Sequence, residues 1–587
     1  MYVRKRALER LAREKVLYER HPGGDISVCV VYPNTYRLGM ANLGFQSVFH
    51  IFESDPLVAA ERAFLPDADE RVAMRKRGEQ LVSLEQARAL SEFDILAFSI
   101  SFETDYLNSI SILRMAGIPT RRSERADGNW PLIIAGGSAI FLNPEPIADF
   151  VDLFLIGEGE EMIPEFLERY HQGRALHSND RGARLRDLAL VEGAYLPDFF
   201  QPIYDDAGRL QSVDYSGPGK PTVSRRLIRD LNQFTTASLI LTEESVFGDM
   251  FLVEASRGCQ WGCRFCAAGF MYRPIRYRSP ENLIEQARRG LGERDVIGLV
   301  GAEMASVPGV ADIAEAVADG GGRLSPSSLK ADCISPQLAS ALARNGNHSV
   351  TVAPEAGSER MRKVINKNLS ESEILDAAEL MVGEGVEKLK LYFMLGLPEE
   401  HDDDVLEIAR LTEKILVRAR KRKKPIGHVT VSLNPFVPKP WTPFQWDAME
   451  DPRATKRKIA MLRGELAKLG PVELDSESPR EAYFQTLVSR GDRRVGAILE
   501  RLEAAHCEGA GEIWHELKRI ANEGQASGLP NPDFFVTRHY TNDELLPWDF
   551  IDHHIHKWFL LSERQKAHYE HQTKPCDVTR CVVCGAC

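Results

Sequence analysis

The sequence predicts an α/β protein. An N-terminal Rossmann-like open parallel sheet precedes a central partial (βα)6 TIM-type barrel, and a mainly helical C-terminal region ends in a metal-binding cysteine loop. Three observations predict this. Short apolar runs alternate with helix-length segments over the first 200 residues, six more strand-like runs recur with helices between them from about residue 249, and seven of the ten cysteines fall into two tight clusters.

The 587 residues suit about three to five domain-sized units. At 43% hydrophobic the chain has apolar material for several cores, which excludes disorder, collagen and small disulfide scaffolds. A net charge of −12 argues against binding nucleic acid by bulk electrostatics and leaves room for a local basic patch. The basic N-terminus, MYVRKRALERLAREK, is followed by no apolar core, so it is not a secretory signal, and no stretch approaches a membrane span. A cytoplasmic location is expected, where clustered thiols favour metal over disulfides.

In order along the chain, ISVCVVY (26–32) reads as a buried strand closed by Pro33, followed by the loop NTYRLGMANLG and a helix near FQSVFHIFES. DILAFSIS (94–101), PLIIAGG (131–137) and FVDLFLIG (150–157) are the next strands, and together they define a unit over 1–200. Residues 201–245, with the turns DDAGRL and SGPGKP, read as a linker with some β structure. The core, 246–445, has the strand candidates MFLVEAS, VIGLVG, RLSPSSLK, SVTVAPE, KLKLYFML and HVTVSLN. Ser279-Pro280 and Ser335-Pro336 open helices, and Ser370 with Glu373 has capping-box spacing. Six βα units make an incomplete barrel. Residues 446–570 read as mainly helical and 571–587 as a cysteine-rich tail, expected to lack order without metal because a terminal loop has no core of its own.

Cys259, Cys263 and Cys266 lie in EASRGCQWGCRFCAAG, directly after the first barrel strand. Thiolates select iron–sulfur clusters, zinc or Cu(I). Three adjacent ligands can hold a cubane cluster and leave one iron open to a substrate or cofactor, while Gly258 and Gly262 let the backbone wrap closely. Spacing alone also admits a structural zinc with a distant fourth ligand. Phe265 before the last cysteine and the barrel pattern favour the cluster.

The C-x3-C-x-aromatic-C loop resembles the signature of the radical S-adenosylmethionine (SAM) superfamily. That resemblance implies a 4Fe–4S cluster on the three cysteines, SAM chelated at the open iron, and reductive cleavage to a 5′-deoxyadenosyl radical. It further implies cofactor contacts at Phe265 (adenine edge), at Gly301 and Glu303 of a Gly-Ala-Glu that departs from Gly-Gly-Glu at its middle residue, and at Ser328 and Lys330 (carboxylate). Glu355 is expected at the ribose, and Lys390 with the turn Gly396-Leu397-Pro398 beneath adenine. An ordinary surface or capping role is the competing reading for each.

VVYPNTYRLGMANLG, AGGSAIFLNPEP and LIGEGEE resemble the cobalamin-binding-type domain fused to many radical SAM enzymes, which implies Gly136, Gly137, Gly157, Glu158 and Gly159 at the corrin and its tail. No Asp-x-His-x-x-Gly follows a strand, so no histidine is offered to cobalt, and the domain either binds cobalamin without one or serves as a docking platform. In the following segment FVPKPWTPFQW, Trp441 and Phe444 are candidates to line the site, against plain packing.

Cys576, Cys581, Cys584 and Cys587 have the spacing C-x4-C-x2-C-x2-C, enough for zinc or a cubane cluster; the repeated x2 spacing favours a second 4Fe–4S cluster. RARKRKK (418–424) ends a helix or contacts RNA. His553, His554 and His556 read as satisfied histidines rather than a metal site, and Cys29, Cys333 and Cys507 as buried thiols. The resemblance implies methylation, or sulfur or methylthio insertion, at an unactivated carbon. It also implies a flavodoxin- or ferredoxin-type reductant, an RNA or protein substrate and no membrane. The alternative is an iron–sulfur electron-transfer or cluster-assembly protein.

Overall fold

The computed structural model describes residues 2–21, 23–177, 180–344, 349–419 and 428–587. The first apolar run forms β1 (Ile26–Tyr32), buried along its whole length. With β2 (Val58–Phe64), β3 (Ile95–Ser99), β4 (Leu132–Gly136), β5 (Leu153–Leu155) and β6 (Ala194–Tyr195) it makes a sheet in the order β2-β1-β3-β4-β5-β6. β1–β5 are mutually parallel and β6 is antiparallel. The order reverses between β1 and β3, so a crevice opens at the carboxyl ends of the strands, where such sheets bind ligands. β2 is hidden in the sequence because Glu61 and Arg62 interrupt its apolar run. Arg62 is tolerated in the core because Glu14 and Glu85 each pair with it at 2.7 Å. Helices α1 (Leu43–Ser54), α2 (Asp105–Met115) and α3 (Gly159–Leu176) flank the sheet. Asn42 caps α1 by accepting from the Phe45 N–H at 2.9 Å.

All six expected core strands form: β7 (Met250–Glu254), β8 (Val296–Val300), β9 (Arg323–Pro326), β10 (Ser349–Glu355), β11 (Lys388–Leu395) and β12 (His428–Pro435). A seventh, β13 (Val472–Ser476), extends the sheet inside the segment expected to be helical. Its VELDS pattern leaves Glu473 and Asp475 exposed, and so short an alternation is a weak signal. The strands form two parallel sheets, β7-β8-β9 and β10-β11-β12-β13, joined by a bridge between Leu329 and Val352 into one open arc. Helices α4 (Pro280–Leu291), α5 (Glu371–Gly383) and α6 (Asp402–Ala419) cover its outer face. Ser279 accepts from Asn282 N–H, and Ser370 with Glu373 forms the expected capping box. Of the basic run, residues 420–424 lie outside the described residues, and Arg418 pairs with Asp376 and Glu379.

Between the two units, Phe200–Tyr204 and Leu210–Tyr215 form a hairpin, and Val223–Ser224 pairs with Ile551–Asp552. The C-terminal helices α7 (Pro479–Arg490), α8 (Val495–Ala504), α9 (Ala510–Glu523) and α10 (Lys557–His568) share a hydrophobic core with one face of the N-terminal sheet, from Leu96, Phe98 and Ile133 to Leu487 and Leu499. Cys584 belongs to this core. The expectation of a tail without a core is therefore corrected: the loop is docked, with one of its cysteines buried.

Candidate active site

After β7 the chain makes a closed excursion. Ser256–Arg257 pairs antiparallel with Arg276–Tyr277, and the three central cysteines stand on the loop between, all as free thiols. The Cys266 N–H donates to Cys263 O at 3.0 Å, and Gly269 N–H to Cys266 O at 3.2 Å. Burial pushes the Cys259 thiol up to about 12 and Cys263 up to about 11, and raises Cys266 as well. Burial thus favours the protonated thiols, so ligation of a metal must expel their protons.

Charged and polar groups from later strands fix the loop. Lys330, buried in the segment that follows β9, places Nζ 3.9 Å from the centre of the Trp261 ring and pairs with Asp332. Lys367 and Glu355 pair at 3.3 Å. Burial works against the charge on Lys367, but the Glu355 carboxylate overcomes it and holds its pKa above the ordinary range. Asn366 donates from Nδ2 to Gly262 O at 3.0 Å. Arg264, fully buried between two of the cysteines, donates to Lys363 O and Val364 O and pairs with Glu563 of α10 at 3.2 Å. Lys367, Asn366, Arg264 and Trp261 lack any spacing that could have announced them.

The expected cofactor residues divide into groups. Gly301, Glu303, Ser328 and Lys330 come together: Ser328 Oγ donates to Ala302 O at 2.9 Å, and the Glu303 carboxylate accepts from the N–H groups of Ala305, Ser306 and Lys330. Glu355 stands near the cysteines in a left-handed conformation, φ 68°. Phe265 packs on a small core containing Phe444 and Phe436. Lys390 lies apart, in mid-strand, with Nζ 3.9 Å from Asp475. Trp441 is buried against His553, 4.8 Å between ring centres, so it packs rather than lines an opening.

Gly136, Gly137, Gly157, Glu158 and Gly159 line a cavity of about 620 Å³ at the carboxyl ends of β3, β4 and β5. Its opposite wall is the barrel mouth: Ser256, Arg257, Gly258, Val300 and Ala302. Phe98, Phe141, Met162 and Leu252 make apolar walls. Gly157, at φ 138°, is required by the backbone of Arg226, whose N would stand 2.5 Å from a Cβ there. Glu158 is not free to meet a ligand with its charge: both its oxygens take Arg276, at 2.7 and 2.8 Å, and Arg257 stands at 3.4 Å. Burial opposes that charge, and Arg276 and Arg257 hold its carboxyl below the usual range.

Cys576 of the last cysteine loop donates its N–H to Gln260 O at 2.7 Å, so the two cysteine-rich loops touch. His556 donates its N–H to Cys584 O, whereas His553 is buried against Phe141 O.

Two family descriptions match the chain: "Radical SAM proteins, N-terminal" over residues 44–197, and "Radical SAM superfamily" over 253–412, which contains the central cysteine loop and the Glu303, Lys330 and Glu355 strand ends. The chain is a member of the radical SAM superfamily. Proteins of this superfamily are enzymes that bind a 4Fe–4S cluster and SAM. This radical SAM protein is 28% identical to an uncharacterised protein of Methanocaldococcus jannaschii over 81% of this chain and 90% of that one. It is 24% identical to the tRNA-2-methylthio-N(6)-dimethylallyladenosine synthase of Prosthecochloris aestuarii over 46% of this chain and 65% of that one. Among solved structures, the radical SAM methyltransferase TsrM of Kitasatospora setae, with cobalamin and a [4Fe-4S] cluster bound, matches with a TM-score of 0.47 and 12% identity, covering 82% of this chain and 99% of that chain. Among the described residues no helix is long and apolar enough to cross a membrane.

Proposed function

We propose that this radical SAM protein is a methyltransferase: Cys259, Cys263 and Cys266 hold the 4Fe–4S cluster, and the acceptor meets a cobalamin methyl carrier in the cavity of about 620 Å³. The observation that supports this best is that one cavity is walled both by the residue preceding Cys259 and by the glycine turns of the N-terminal sheet. Apolar walls and short glycine turns fit a broad, flat ligand. No histidine lines the cavity among the described residues, so none of its walls offers cobalt an imidazole. When bound, the cluster with SAM supplies one-electron cleavage of a carbon–sulfur bond, and cobalamin a transferable methyl group.

The chain's own residues bind and orient. Three thiols would lose their protons to solvent as they ligate iron, and Lys367 sets a positive charge beside them. Lys330 fixes Trp261, and the Glu303 carboxylate braces the strand-end loop through three backbone N–H groups. The apolar walls exclude water from the reacting carbon. A flavodoxin- or ferredoxin-type protein supplies the electron, and RNA is the first acceptor class to test, a protein acceptor the next. Sulfur or methylthio insertion is the second reading, and the cysteine-rich loop that touches Gln260 would serve it only if one of its irons were left open.

Anaerobic reconstitution with iron, sulfide, SAM and dithionite tests the reading. It should yield 5′-deoxyadenosine, abolished by Cys263→Ala, together with a cobalamin absorbance spectrum after incubation with the cofactor. Absence of 5′-deoxyadenosine supports the electron-transfer alternative. Its presence without cobalamin uptake, with a methylthio product, supports the second reading.

A further inference from the structure

The last cysteine loop is built into the molecule from two sides. On its inner side the Cys576 N–H is bonded to Gln260 O, one residue beyond Cys259, and Thr573 N–H donates to Asn366 Oδ1 at 2.7 Å, the same side chain that holds Gly262. Arg273 lies at this junction: its Nε donates to Gly269 O at 2.6 Å, and its guanidinium covers the rings of Phe270 and of Phe559 on α10. Cys584 is 2% exposed, and its carbonyl accepts from His556 N–H at 2.9 Å. The next residue, Gly585, presses on the imidazole: a Cβ there would stand 2.7 Å from Nε2. On the outer side, Cys587 is exposed, and Val582 and Val583 are 74% and 54% exposed.

We propose that Cys576, Cys581, Cys584 and Cys587 form a second 4Fe–4S centre, fully ligated by protein, that passes single electrons from a solvent-side donor to the first. The proposal rests on the reading of Cys259, Cys263 and Cys266 as the first centre. Four thiolates complete the coordination of a cubane cluster, so no iron is left for substrate or a sulfur atom. That directs the site to electron transfer and away from sulfur donation. Its placement agrees, with one flank on the loop of the first centre and the other at the surface. A low-potential one-electron carrier of the ferredoxin or flavodoxin class is oxidised by one electron, the second centre is reduced by one and reoxidised by the first. No bond or proton changes hands. The positive charge of Arg273 and the rings of Phe270 and Phe559 occupy the junction between them.

Metal content and magnetic resonance on the full chain test this without any turnover of SAM. The anaerobically reconstituted protein should hold about eight irons and eight sulfides, two cubanes' worth. Cys259→Ala/Cys263→Ala/Cys266→Ala should retain about half of each, and so should Cys581→Ala/Cys587→Ala, which spares the buried Cys584. After dithionite reduction, the wild-type spectrum should be broader than the sum of the two variants' spectra, because neighbouring paramagnetic centres couple. One zinc per chain that persists in the triple variant, with about four irons in the wild type, would overturn the proposal. So would two centres whose spectra simply add. Loss of iron from the triple variant's remaining site would overturn it too, and circular dichroism of both variants separates that result from misfolding. Failure of the methyltransferase reading leaves every one of these measurements in place.

Discussion

Arg264, set between two central cysteines, pairs with Glu563 of α10 at 3.2 Å, with both side chains at or near zero exposure. The same guanidinium donates to His571 O at 2.6 Å, which ties the loop to the segment leading into the last cysteines. A helix shared with the N-terminal core thereby anchors the candidate centre of the barrel.

Removing one partner of that pair leaves a charge buried without compensation. Glu563→Ala should lower stability by about 3–5 kcal/mol. Urea denaturation of the metal-free protein measures it, and Lys566→Ala, whose lysine pairs with Glu563 from a partly exposed position, should cost less than about 1 kcal/mol.

His553 should make the protein acid-sensitive. Its Nε2 faces Phe141 O at 2.7 Å, and since a carbonyl only accepts, that nitrogen carries the proton of a neutral ring. Burial, and then the charge of Arg225, press its pKa down to about 3, whereas the unfolded value is near 6.5. A depressed value means stability is present above about 6.5 and is lost as pH falls toward 3, at about 1.4 kcal/mol per pH unit. The melting temperature should therefore fall more steeply between pH 6 and 4 in the wild type than in His553→Gln, whose amide can still donate to Phe141 O.

Lys367→Met should weaken iron retention by about 10- to 100-fold, the range found when groups supporting metal ligands are removed. The competing chelator concentration that strips half the iron gives the number. Lys367→Arg, which keeps the charge beside Glu355, should recover part of it.

Val48 on α1 faces the cavity from the side of the N-terminal sheet. Val48→Trp fills part of that space and should lower cobalamin uptake at least tenfold in an absorbance titration. Iron content should not change, because Val48 touches none of the cysteine loop's supports. Equal uptake by both proteins would move the cofactor out of this cavity.

The strands of both units were legible where an apolar run is unbroken, as in ISVCVVY, which is buried along its whole length, or where apolar residues alternate, as in KLKLYFML, whose every second residue is buried. β2 was not, since its Glu61-Arg62 pair is neutralised by residues distant in sequence, and β13 was not, since half its side chains face solvent. The candidate centre was legible through cysteine spacing, which is local. Its supports, Asn366 with Lys367, Arg273 and Glu563, come from three separate segments, so only the fold brings them together. Glu158 shows the converse: a turn motif that suggests a ligand contact is occupied by Arg276 and Arg257 of the protein itself.

The bond from Cys576 to Gln260 also has a consequence for biosynthesis. Every residue of the barrel leaves the ribosome before α10 and the last cysteine loop exist, so the central loop is complete while still uncovered. The segment that touches Gln260 is the last to be made, so the contact between the two cysteine-rich loops is among the final ones the chain can form.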